Sequence, residues 1–106
     1  MSYHSKHLKK IKASELQVGR WYARDFYNQT SSDTLIFKFE SVEELKNNRC
    51  IKLHVKPYVA FNRSYGNNIM IVLKYEKFEE IPQDKIREMA TLGKYCNITK
   101  EDLIYD

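Results

Sequence analysis

The chain reads as α+β, mainly β: a small, strongly curved antiparallel sheet or SH3-like barrel of four to five strands, followed by one or two short C-terminal helices. Three observations predict this. Apolar and polar residues alternate with period two in several stretches between residues 20 and 78. Clusters of turn-forming residues separate those stretches. After Pro82 the spacing becomes helical, with Ile86, Met89, Ala90 and Leu92 in step.

Residues 1–12 (MSYHSKHLKKIK) have no clean period and are expected to be a flexible basic arm. Residues 13–106 are then a single β-rich domain with a helical segment at about 82–105. Ser14 can cap one helical turn that ends at Gly19. Residues 20–27 (RWYARDFY) alternate as a first strand, and the polar NQTSSD breaks it. Residues 34–42 alternate most clearly, with Leu35, Phe37 and Phe39 on one face and Lys38 and Glu40 on the other.

In residues 49–56, Ile51, Leu53 and Val55 point inward, and Lys52, His54 and Lys56 outward. Pro57 lacks a ladder donor, so that strand bends or lies at an edge there before resuming through 58–61. Residues 62–68 (NRSYGNN) read as a hairpin loop. Residues 69–78 are apolar on both faces, which predicts a central, doubly covered strand. Pro82 suits a first helical turn, Gly93 a helix end, and Thr99 with Asp102 a capping box.

The net charge of +4 is unevenly divided. Lys6, Lys9, Lys10 and Lys12 put four positive charges and no acid in the arm. Residues 13–75 hold nine Lys or Arg against six Asp or Glu, and residues 76–106 hold five against eight. A dedicated phosphate binder seldom keeps a neutral body with an acidic final third. No stretch has the roughly 20 apolar residues of a membrane span. Cys50 and Cys96 read as free thiols in a reducing, cytoplasmic setting (the host cytoplasm for a phage-encoded chain).

Catalytic chemistry finds little support. Cys50 and His54 share a strand face but lie about 13 Å apart along it. His4 and His7 have a ligand spacing without Cys or acid partners, so no metal site is expected. Adjacent acids such as Glu79-Glu80 diverge rather than pair, and three isolated glycines make no phosphate loop. The expectation is no enzyme, no cofactor and no small-molecule substrate.

Two surfaces remain as candidates. Lys52, His54 and Lys56 form a period-two basic row, which Lys38 and Arg24 extend if the strands are neighbours. Interleaved with exposed rings such as Tyr22 or Tyr58, it would suit nucleic acid or an acidic partner. The second is the loop carrying Asn62, Arg63, Tyr65 and Asn67, of residue types common in protein interfaces. Fourteen aromatics in 106 residues predict exposed ones, hence interaction or a homodimer.

In its Lys, Ile, Asn and Tyr content the chain resembles accessory proteins of low-GC bacteria and their phages. The expected function is a non-catalytic module binding another protein, as a small accessory or inhibitory subunit. The alternatives are a nucleic-acid-binding barrel using the basic face and a self-assembling viral or phage component.

Overall fold

Strands form where the alternation predicts them, and further ones form where it does not. The computed structural model describes residues 8–28 and 31–105. In chain order these contain β1 (Lys10–Lys12), β2 (Trp21–Arg24), β3 (Leu35–Glu44), β4 (Cys50–Pro57), β5 (Val59–Ala60), β6 (Arg63–Ser64), β7 (Ile69–Leu73), β8 (Lys77–Ile81) and the helix α1 (Gln83–Ala90). Single 3-10 turns sit at Ala13–Glu15, Gly93–Tyr95 and Lys100–Leu103. Residues 1–7 of the predicted arm, with His4 and His7, lie outside the described residues.

One antiparallel sheet has the order β1-β8-β2-β3-β4-β7, and β5 and β6 form a separate ribbon. The main sheet thus has six strands rather than four to five. The arm supplies one of the additions, because Lys10–Lys12 pair with Lys77–Glu79. The other arises because residues 69–78 are not one strand: Glu76 N–H donates to Leu73 O at 3.1 Å, and the chain turns there.

That turn reveals the shape of the sheet. β7 and β8 stand four places apart in the strand order, about 19 Å in a flat sheet. Residues 74–76 alone join them, so the sheet curls until its ends approach. Ala13 and Ser14 then donate to Glu76 O (2.7 Å) and Lys74 O (3.1 Å). The two edge strands share no ladder among the described residues, and the sheet stays open rather than closing into a barrel.

Each face carries its own core. Tyr22, Phe37, Phe39, Ile51, Leu53, Val55 and Phe78 fill the first, so the predicted inward set of β4 is buried. Trp21, Ala23, Ile36 and Ile81 start the second, covered by Ile86 of α1, by Tyr58 and Ala60, and by Leu103 and Tyr105 near the C-terminus. The strand buried on both faces is therefore β2, not the 69–78 stretch. Pro82 sits just before α1 in an extended conformation and caps it through its carbonyl, which accepts from Lys85 and Ile86 N–H at 3.0 and 3.1 Å.

Candidate functional site

Residues directly opposite in an antiparallel ladder share a face. Trp21 lies opposite Lys38 and Lys38 opposite Lys56, while an irregularity between Phe39 and Ser41 sets Ser41 against His54 and Glu43 against Lys52. Lys38, Lys52, His54 and Lys56 thus share the second face, as predicted. Arg24 does not join them: it lies opposite Leu35, on the first face, and pairs with Glu76 at 3.4 Å.

The row is already occupied by acids. Lys38 Nζ donates to Asp102 Oδ1 at 2.9 Å, and Lys56 Nζ to Asp102 Oδ2 at 2.6 Å. Glu43 lies 3.1 Å from His54 Nε2 and 4.0 Å from Lys52 Nζ. The two rings expected beside the row, Tyr22 and Tyr58, are buried in the cores instead.

Asp102 is the polar centre of this face and only 3% exposed. Thr99 N–H and Oγ1 donate to its Oδ2 at 2.8 and 3.0 Å, completing a capping box. Burial alone pushes its carboxyl up, but the Lys56, Lys38 and Thr99 hydrogen bonds together outweigh this and hold it at about 2. Trp21 Nε1 donates to Asp102 O at 3.1 Å. The Tyr105 hydroxyl accepts from Trp21 N–H at 3.2 Å and donates to Ile81 O at 2.5 Å, its ionisation pushed up to about 12 by burial. This is a structural knot that fastens the C-terminal turn to the sheet. The Thr99–Asp102 spacing marks the cap in the sequence; the lysines come from strands more than 40 residues away in the chain.

The second candidate surface is rearranged. The hairpin turns at Phe61 and Asn62, not over 62–68: φ is 53° and 63° there, and Ala60 pairs with Arg63 across the turn. Positive φ at both central residues is the signature of a type I′ hairpin, a turn that favours Asn-Gly. Asn62 fits it; a bulky Phe is strained. Of the predicted loop residues, Asn62 and Asn67 are exposed. Tyr65 is buried against Tyr58, their ring centroids 5.2 Å apart, with the Arg63 guanidinium 4.4 Å from the Tyr65 centroid. Arg63 also donates to Ser31 O at 2.6 Å. Tyr65 and Arg63 therefore fasten the ribbon to the body, and Phe61 takes the exposed position.

Phe61 is 61% exposed and lies against Tyr95, 50% exposed, with ring centroids 5.3 Å apart and planes 16° from parallel. Lys94 Nζ stands 5.3 Å from the Tyr95 centroid. Residues 95–97 hold this pair by running along β5: Phe61 N–H donates to Tyr95 O (2.9 Å), Asn97 N–H to Val59 O (3.1 Å), and Val59 N–H to Asn97 Oδ1 (2.9 Å). An open cleft of about 500 Å³ borders the pair, lined also by Asn62, Cys96 and Asn97 and by no acid. Cys50 and Cys96 are both free and half-buried.

No family model, no curated protein and no solved structure matches the chain. No helix among the described residues is long and apolar enough to cross a membrane.

Proposed function

We propose that the chain is a non-catalytic module that binds another protein, as an accessory or inhibitory subunit, through the Phe61–Tyr95 tip. One observation carries this reading: a bulky aromatic occupies a strained left-handed turn position and faces solvent. Backbone strain of this kind costs on the order of 1 kcal/mol and persists where it serves a site. Two rings already stacked lose little freedom on binding, and aromatics dominate interface energies. Lys94 beside an acid-free cleft favours a partner whose apolar pocket is rimmed by carboxylates.

The nucleic-acid reading has less support, because Arg24, Lys38, Lys52, His54 and Lys56 each have an acid within 4.0 Å that a phosphate must displace. The order β8-β2-β3-β4-β7, a meander whose last strand returns beside its first, favours an opened SH3-like frame, into which Lys10–Lys12 also pair.

The test compares the wild type with Phe61→Asn as bait in quantitative affinity capture, beside a mobility shift with oligonucleotides. The substitution relieves the turn strain and removes the ring stack, so stability changes by less than about 1 kcal/mol. The expected result is a captured protein lost with Phe61→Asn. Capture that ignores Phe61→Asn overturns the reading. Salt-sensitive oligonucleotide binding abolished by Lys52→Glu with Lys56→Glu replaces it with the alternative.

A further inference from the structure

The two edges of the main sheet are unlike. β1 is three residues long, Lys10-Ile11-Lys12, and short, lysine-bearing edges resist pairing with other chains. β7, Ile69-Met70-Ile71-Val72-Leu73, has no charge, no proline and no bulge. Ile69, Ile71 and Leu73 are exposed, Ile71 to 63%. The chain after β1 reaches only Lys74 and Glu76, beyond the end of β7.

The hydrogen-bond phase of this edge is fixed by its inner neighbour. Asn68 O accepts from Val55 N–H (2.8 Å) and Lys74 N–H donates to Arg49 O (2.9 Å), so the even-numbered residues face β4. Ile69, Ile71 and Leu73 therefore turn their backbone N–H and C=O outward. Leu73 O takes one bond from Glu76 N–H, and a carbonyl has room for a second.

The geometry points to a second copy of this chain as the occupant: β7 pairs antiparallel with β7 of another molecule about a two-fold axis at Ile71. This register sets Ile71 against Ile71, Ile69 against Leu73 and Met70 against Val72. Outward-facing residues then meet outward-facing residues, and each such pair exchanges two hydrogen bonds, about six in all. Charge agrees with a copy. Lys74 falls opposite the neutral Asn68, while Lys52 stays one strand inside, beside Glu43. An acidic or basic foreign strand finds no counter-charge on β7 itself. At one hydrogen bond per 100–200 Å², about six bonds correspond to roughly 600–1,200 Å² of buried surface. That is at or below the lower end for specific interfaces, so the dimer is weak and reversible.

This dimer is independent of the Phe61–Tyr95 reading, and Phe61→Asn leaves it unchanged. The test is sedimentation velocity on the full chain from about 1 to 500 μM, with thermal melts confirming that each variant folds. Ile71→Lys and Ile71→Glu each set like charges face to face at the two-fold axis and weaken the dimer about 10-fold. Mixing the two variants restores a heterodimer, because Lys then faces Glu. A wild type monomeric throughout, a dimer indifferent to either substitution, or no recovery on mixing overturns the inference.

Discussion

The C-terminal turn and strand β7 are opposite cases. Thr99-Lys100-Glu101-Asp102 is as polar as any stretch of the chain, yet it places a carboxylate at 3% exposure. Ile69–Leu73 is the most apolar stretch, yet it ends at a sheet edge with Ile71 open to solvent. Burial follows the neighbours that the fold supplies, and local hydropathy is only one contribution to it. Asp102 is stabilised inside because Lys38, Lys56 and Thr99 satisfy its oxygens. Ile71 is left outside because the chain turns at Glu76 and returns to the far side of the sheet.

The contrast breaks most sharply at Asp102. Asp102→Ala leaves two lysines side by side without a counter-charge and frees the turn, so it should cost about 3–5 kcal/mol in urea unfolding. Replacing all three charges together (Lys38→Met, Lys56→Met, Asp102→Leu) should be neutral or stabilising, since no charge then needs compensation. Loss as large as with Asp102→Ala would show that the knot contributes more than charge balance.

The pH dependence is a smaller effect. Asp102 is held at about 2, below its unfolded value of 3.8. A depressed folded value stabilises above the unfolded one and is lost as protons bind. About 1–2 kcal/mol should therefore disappear between roughly pH 5 and pH 2, allowing for the partly exposed lysines. Asp102→Asn should remove that component of the pH profile.

The smallest effect belongs to β7. Ile71→Thr should change the stability of the monomer by less than about 0.5 kcal/mol, measured at a concentration where any dimer is dissociated. Leu53, on the neighbouring strand with its side chain in the first core, should lose about 2–5 kcal/mol as Leu53→Ala. If the two costs converge, Ile71 is covered within the monomer and the contrast fails.

Much of the fold was legible. Alternation placed β3 and β4 and identified Ile51, Leu53 and Val55 as core; the change of period at Pro82 placed α1. The candidate site was legible only in part. The basic row lies on one face as read, apart from Arg24, but its acids were invisible because Asp102 and Glu43 reach it through tertiary neighbours. Phe61 carried no signal, since nothing in Ala-Phe-Asn-Arg favours a type I′ turn except Asn62.

Local pattern determined what each segment is, because alternation and helical spacing are properties of a few consecutive residues. Strand order, the splitting of 69–78 and the curl that brings β8 back beside β2 were decided only by the tertiary structure. So were the burial of Asp102 and the exposure of β7. Each depends on which distant strand lies alongside, and a ladder hydrogen bond or a buried ion pair exists only once both partners are in place.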